Sequence, residues 1–314
     1  MLQARWIAIL VFLGIPAAAS AQIDARMFRY PAVSATQIAF VYAGDVWLAP
    51  KAGGVAERLS TPKGEESFPR FSPDGAWLAY TADYDGNQDI YVVSSKSGLP
   101  TRVTHHPDLD RILGWYPDGK TLLFASSRES GKDRFNQLYK GAMTGGLPDK
   151  LPVPYGEFGA ISPDGKMLAY MPETRDYRTW KRYRGGWAPD IWLFDLTQLT
   201  ARNLTNNPAN DAHPMFYGKT LYFLSDRDAN SRYNIWAMDL ASGATREVTK
   251  FADFDIHFPS IGPSDIVFEN AGGLWRLELP DETLREVKIS VVTDRSTMKP
   301  TIENVTKLIT NVTL

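Results

Sequence analysis

The densest run of residues able to recognise a ligand lies between Glu173 and Pro189. There Arg175, Arg178, Lys181, Arg182 and Arg184 stand against only Glu173 and Asp176 and alternate with Tyr177, Trp180, Tyr183 and Trp187. Guanidinium forks recognise carboxylates bidentately, and aromatic rings supply rigid contact area at interfaces. Arg178, Trp180, Lys181, Arg182 and Arg184 are therefore the candidate contacts for a peptide carboxylate or a partner subunit. A segment folded back on its scaffold with its charges solvated fits the same pattern. Single strands of nucleic acid also take basic and aromatic residues together, but a net charge of −2 gives no general attraction for a polyanion, and nucleic acid is not an expected partner.

Catalytic signatures are missing elsewhere. The chain has no G-x-S-x-G elbow, no H-E-x-x-H, no P-loop and no dinucleotide-binding glycine fingerprint. With no cysteine there is no disulfide, no thiolate zinc site and no Cys nucleophile. His106-Pro107, His213-Pro214 and His257-Phe258-Pro259 recur without the matched spacing of metal ligands. They read as repeat-specific structural positions, where Pro opens a strand and His bonds a neighbouring turn. The run from Asp83 to Asp89 alternates acids as a calcium loop does but lacks the distal bidentate Glu. It suits a tight hairpin with Gly86 or Asn87 in the left-handed region, and Asp226, Asp228 and Asn230 read the same way. No cofactor, metal or catalytic residue is expected.

The scaffold that must carry the basic segment is a repeat. An apolar residue followed by an aromatic recurs at Val46-Trp47, Ile90-Tyr91, Leu138-Tyr139, Ile191-Trp192, Ile235-Trp236 and Leu274-Trp275. Twelve residues after each aromatic stands an apolar residue: Leu59, Val103, Leu151, Leu204, Val248 and Val287. A short apolar run ending near an aromatic precedes each, as in Trp77 to Tyr80, and three of these runs follow the turn Ser72-Pro73-Asp74-Gly75, Tyr116-Pro117-Asp118-Gly119 or Ser162-Pro163-Asp164-Gly165. Pro sets φ, Asp bonds nearby amides and Gly accepts positive φ, so each turn joins two strands. Spacings of 44, 48, 53, 44 and 39 residues between the aromatics match four-stranded propeller blades. The runs are apolar on both alternating faces, as sheets sandwiched between neighbours are. The fold expected is all-β: a six-bladed β-propeller of four-stranded antiparallel blades over residues 22–288.

Length variation locates the working face. The second and third strand aromatics of each repeat are 7, 11, 15, 22, 13 and 7 residues apart, so insertion concentrates in the loops joining those strands, on one face of the disc. The segment 173–189 is the longest of them. Residues 1–21 read as a secretory signal peptide, with Arg5, an apolar run from Trp6 to Ile15 and the small residues Ala19-Ser20-Ala21 before Gln22. The apolar run is short for a membrane span, so a periplasmic or secreted protein with no span after cleavage is expected. Residues 289–314, rich in Thr, Asn and Lys, read as a linker towards a downstream domain, and the strand-like end at Thr310 to Leu314 suggests that the parent chain continues.

The Ser-Pro-Asp-Gly turns, the Asp-Ile-Tyr/Trp strands and the Arg-x-Thr strand ends resemble the TolB-like (PD40) repeat of periplasmic and peptidase propellers over residues 30–288. Trp180-Lys181-Arg182-Tyr183-Arg184-Gly185-Gly186 followed by Asp190-Ile191-Trp192 is similar to the fourth blade of the N-terminal propeller of the tricorn protease family. Phe28-Arg29-Tyr30-Pro31 with Gly44-Asp45-Val46-Trp47 is similar to its first. The resemblance implies a non-catalytic propeller that gates or channels oligopeptides in an exported, homo-oligomeric serine peptidase whose catalytic residues lie beyond Leu314. Its partners would be oligopeptides or sister subunits. The alternative is a TolB-like periplasmic protein-interaction scaffold. That reading calls for an α/β domain before the blades, and only Gln22 to Arg29 is available for one.

Overall fold

A computed structural model describes residues 22–24, 26–60, 62–131, 135–292, 300, 302 and 304–309; the signal-peptide reading of residues 1–21 falls outside them. Six sheets carry the fold, and each blade is contiguous in sequence. After β1 (Gln22–Asp24), blade 1 comprises β2 (Arg29–Val33), β3 (Gln37–Tyr42), β4 (Asp45–Pro50) and β5 (Gly54–Arg58). Blade 2 comprises β6 (Glu66–Phe71), β7 (Trp77–Ala82), β8 (Asp89–Ser94) and β9 (Thr101–Arg102). Blade 3 is β10 (Asp110–Trp115), β11 (Thr121–Ser126), β12 (Gln137–Ala142) and β13 (Asp149–Lys150). Blade 4 is β14 (Phe158–Ile161), β15 (Met167–Met171), β16 (Trp192–Asp195) and β17 (Thr200–Asn203). Blade 5 is β18 (Asp211–Tyr217), β19 (Thr220–Ser225), β20 (Asn234–Asp239) and β21 (Thr245–Glu247), and blade 6 is β22 (His257–Ile261), β23 (Asp265–Asn270), β24 (Gly273–Glu278) and β25 (Thr283–Val287). Among the described residues the only helical element is the 3-10 turn Val305–Leu308, and no helix is long and apolar enough to cross a membrane.

The invariant twelve-residue spacing is a hairpin register. The amides of Leu59, Val103, Leu151, Leu204 and Val248 donate to the carbonyls of Val46, Ile90, Leu138, Ile191 and Ile235, closing the outer strand pair identically in five blades. A hydroxyl completes the corner in four of them: Ser60, Thr104, Thr205 and Thr249 accept from the amides of Val46, Ile90, Ile191 and Ile235 at 2.8–3.0 Å. Between the blades the second-strand aromatics Phe40, Tyr80, Phe124, Tyr170, Phe223 and Phe268 are all buried. Each such side chain contributes roughly 1.5–3 kcal/mol, which holds neighbouring sheets face to face.

Ring closure follows from what the chain does after blade 6. β26 (Ile289–Val292) crosses to blade 1, runs parallel to β5 in the register Ile289↔Gly54, Ser290↔Val55, Val291↔Ala56, and receives β1 on its far side. Blade 1 is thereby a six-stranded sheet, and the chain remains in it for four residues of the stretch read as a linker. Gly53 permits the crossing: a Cβ there would lie 2.5 Å from the Lys288 carbonyl, which accepts the Gly54 amide at 2.9 Å. Inside this seam Lys51 reaches Asp265 at 2.7 Å and Arg29 reaches Glu269 at 3.3 Å.

Candidate functional site

The innermost strands bring five rings to the axis: Tyr30, Phe68, Phe158, His213 and Phe258. Tyr30 packs on Phe68 at 4.2 Å and on Phe258 at 4.7 Å, and His213 lies 4.5 Å from Phe158 and 5.8 Å from Phe258. Tyr30, Phe68, His213 and Phe258 each precede a proline, sit at φ between 44° and 52°, and mark a register shift in their strand. Proline discourages the right-handed helical region for the residue before it, and the bulge turns that residue inward. Left-handed backbone costs a non-glycine residue about 1–2 kcal/mol, so four such positions are held only because the surrounding rings over-determine them. Blade 3 departs from the pattern. Arg111 fills its sector, with its guanidinium 4.5 Å from the Phe158 ring, and donates from Nη2 to the Glu157 carbonyl at 2.6 Å and carboxylate at 2.9 Å.

These groups occupy the axis and leave a cavity on either side. On the turn side a basin of about 450 Å³ is walled by Phe71, Pro73, Trp115, Pro117, Pro163 and Ile261. On the loop side a chamber of about 530 Å³ is lined by Tyr30, Phe68 and Arg111 below and by Glu173, Tyr177 and Arg178 above.

The segment 173–189 forms that roof, tied down blade by blade. Asp176 bonds His213 Nε2 at 2.8 Å and accepts the Thr174 hydroxyl at 2.7 Å. Burial alone would raise its carboxyl, but the His213 imidazole and Thr174 hydroxyl hold it down at about 2. Tyr177 accepts from Arg111 Nη1 at 3.3 Å, crossing from blade 4 to blade 3. Arg175 donates to Asp226 at 3.1 Å and stacks 3.5 Å from the centre of the Tyr233 ring. Beneath the roof, Glu269 accepts the Tyr30 amide at 2.6 Å; burial pushes its carboxyl up to about 7 against the pull of Arg29.

The expected contact residues divide into two groups. Arg184 bonds Asp226 and its carbonyl, and Arg182 grips Asp255 bidentately at 3.1 and 3.0 Å, so both guanidiniums anchor the loop. Arg178 lies on Trp187 at 5.2 Å and Trp180 at 5.7 Å, approaches Glu173 at 3.8 Å and lines the chamber, while Trp180 is half-buried and Lys181 is exposed. Arg111, Glu157 and Glu269 were not anticipated as parts of the site. The recurring aromatic-Pro pair at the head of the inner strands was the available signal.

Two readings of the histidines and acids are refined. His213 lies within β18 and His257 opens β22, instead of preceding those strands, whereas His106 precedes β10 and accepts the Asp108 amide at 3.1 Å. The Asp83–Asp89 hairpin has Gly86 at φ 95°, and Asp89 pairs with Arg102. Asp226 is no ordinary hairpin residue: it is fully buried and holds two arginines. Among the described residues no three His, Asp, Glu or Cys side chains are placed to share a metal ion, and His213 makes no hydrogen bond to a hydroxyl or thiol.

The family model for the tricorn protease N-terminal β-propeller domain matches residues 25–283. The chain belongs to this family. It is 29% identical over 254 residues to tricorn protease homolog 1 of Streptomyces coelicolor, covering 80% of this chain and 23% of that protein. The crystal structure of the tricorn protease superposes with a TM-score of 0.74 at 20% identity, over 83% of this chain and 26% of that one. A putative TolB from Agrobacterium tumefaciens shares the propeller with a TM-score of 0.58 at 19% identity, over 79% of this chain and 84% of that one. The chain thus spans about a quarter of the length of these two tricorn proteins.

Proposed function

We propose that this tricorn-type propeller is a non-catalytic module of an exported, oligomeric serine peptidase, and that its loop side receives oligopeptides or sister subunits on the way to catalytic residues outside the blades. The observation that carries the reading is the blade-4 loop, which is laid over the axial mouth and fixed there by four arginines while leaving Arg178 at the chamber and Lys181 exposed. Because aromatic rings fill the axis, gating on this reading takes place at the mouth, and passage along the axis requires those rings to move. Export is inferred from residues 1–21 and homo-oligomerisation from the family.

The test is a peptidase assay combined with a binding assay. The 314-residue chain alone is expected to hydrolyse no peptide but to bind oligopeptides in titration calorimetry. Arg178→Ala with Lys181→Ala should weaken that binding about 3–10-fold with folding intact, the scale of two exposed charges. Turnover abolished by a substitution within residues 22–288, or an unaltered affinity together with an unaltered sedimentation profile, overturns the proposal.

A further inference from the structure

We propose that the turn-side basin is a binding site for a small carboxylic acid with a hydrocarbon body, such as an aryl-alkyl carboxylate. Its volume of about 450 Å³ falls in the range of small-ligand sites. Arg70 brings the one fixed charge in its lining, and no aspartate, glutamate or lysine joins it there. Other arginines that reach the interior are matched: Arg111, Arg128, Arg175, Arg227 and Arg276 each meet an acid at 2.7–3.1 Å. Arg70 meets none among the described residues. Its Nε donates to the Leu113 carbonyl at 3.0 Å and its Nη1 to the Pro69 carbonyl at 2.8 Å, while Nη2 makes no hydrogen bond. The residue is half-buried, and Nη2, unlike Arg111 Nε, is not closed off from solvent. Two carbonyls thus hold the fork in place and leave one arm free. Burial pulls the guanidinium down to about 10, and the Arg111 cation adds to the pull. It stays charged at neutral pH without a counter-charge, so an arriving carboxylate gains a charge-assisted hydrogen bond.

The rest of the lining decides what the anion carries. Phe71, Trp115 and Tyr217 supply aromatic area, and the Trp115 indole is fixed by its Nε1 bond to the Arg70 carbonyl at 2.9 Å. Pro73, Pro117, Pro163, Pro214, Pro259 and Pro263 also face the basin, and proline has no N–H to donate. A peptide backbone brought against them would leave carbonyls unmade at a cost in free energy, whereas a hydrocarbon body has nothing to satisfy and gains by leaving water. A hydrophobic amine would set a second cation beside Arg70. The axial rings separate this basin from the loop-side chamber, so the site stands apart from the peptide-handling reading.

The experiment is calorimetric titration of the 314-residue chain at neutral pH with phenylbutyrate, phenylbutyramide and acetate. Phenylbutyrate is expected to bind with a Kd of about 1 mM or tighter, and phenylbutyramide and acetate each about 10-fold or more weaker, since one lacks the charge and the other the apolar body. Arg70→Gln should weaken phenylbutyrate about 10-fold and leave phenylbutyramide unchanged, a split that a general loss of folding would not give. Gly114→Leu, at a lining position where an added Cβ meets no atom within 4 Å, should weaken both by filling the basin. Glycyl-glycyl-phenylalanine at equal concentration should not displace phenylbutyrate. Equal binding of the amide, or an Arg70→Gln chain that holds phenylbutyrate as tightly as the parent, overturns the carboxylate assignment. Equal binding of acetate, or displacement by the tripeptide, overturns the hydrocarbon body. Absence of phenylbutyrate binding, or unchanged affinity for both aryl probes in Gly114→Leu, removes the site from the basin. The peptide-handling reading, which rests on the opposite mouth, stands under each of these results.

Discussion

The two sides of the disc are built by opposite rules. On the turn side the same contacts recur: Asp74 and Asp164 accept from Ser72 and Ser162 hydroxyls at 2.5 Å and from the Ala76 and Lys166 amides at 3.0 and 3.1 Å, all within a few residues. On the loop side Arg128 and Arg227 still bind Asp110 and Asp211 in the same way, but the bonds of the blade-4 insertion have no counterpart in another blade and join residues far apart in sequence: Asp176 to His213, Arg184 to Asp226, Arg182 to Asp255 and Tyr177 to Arg111. Local bonds set strand register and repeat without a partner elsewhere. Long-range charged bonds instead fix one insertion over one mouth, so the blade-4 insertion rests on buried charge, whereas the repeated turns keep Asp74, Asp118 and Asp164 in solvent.

If that contrast is correct, the largest loss of stability comes from cutting the roof's anchor. Asp226 is fully buried and accepts from Arg175, Arg184 and the amide and side chain of Asn210. Asp226→Ala leaves the buried Arg175 without its counter-charge, which costs about 3–5 kcal/mol. Urea unfolding measures it. A loss below about 1 kcal/mol would mean that the roof is laid on the blades without being held by them.

The same division decides what could be read in the sequence. The six blades were legible because spacing within each outer strand pair never varies, and the amide-to-carbonyl bonds from Leu59, Val103, Leu151, Leu204 and Val248 are the physical form of that invariance. The basic loop was also legible as an insertion. Which of its arginines were free was not, because Asp226 and Asp255 lie 42 and 73 residues from Arg184 and Arg182 and nothing periodic links them. The axial rings were written as Tyr30-Pro31, Phe68-Pro69, His213-Pro214 and Phe258-Pro259, yet the histidine, read as a strand-opening residue bonded to a turn, was not connected with the aromatic residues of that series. β26 escaped because a closing strand added to another blade has no counterpart in the repeat.

The contrast sharpens with pH. Glu269, beneath the roof, has its carboxyl raised from 4.5 to about 7, first by burial, with Arg29 and the Tyr30 amide pulling the other way. A carboxyl raised on folding contributes stability that is fully present below about 4.5 and is lost as pH rises through about 7. At 1.36 kcal/mol per unit the loss is about 2–3 kcal/mol after allowance for the partly exposed Arg29. Glu269→Gln keeps an acceptor for the Tyr30 amide without the charge. Its stability relative to the parent chain should therefore rise by about that amount between pH 4.5 and pH 8. Parallel pH profiles for the two proteins would place the buried-charge cost elsewhere.

The smallest effect belongs to the turn side. Gly119 closes the Tyr116-Pro117-Asp118-Gly119 turn at φ 66°, and a Cβ there would meet nothing nearer than Pro73 Cδ at 3.8 Å. Gly119→Ala thus meets open space, and its cost is backbone strain alone, about 1 kcal/mol, part of it offset because alanine also restricts the unfolded chain. The turn bonds of Asp118 to the Lys120 and Thr121 amides are local and survive the change. Peptide affinity at the opposite mouth should not move, since no residue of this turn lines the loop-side chamber. A loss above about 2 kcal/mol, or an altered affinity for oligopeptides, would show that the two sides are coupled through the axial rings and that the turn side shares in the site.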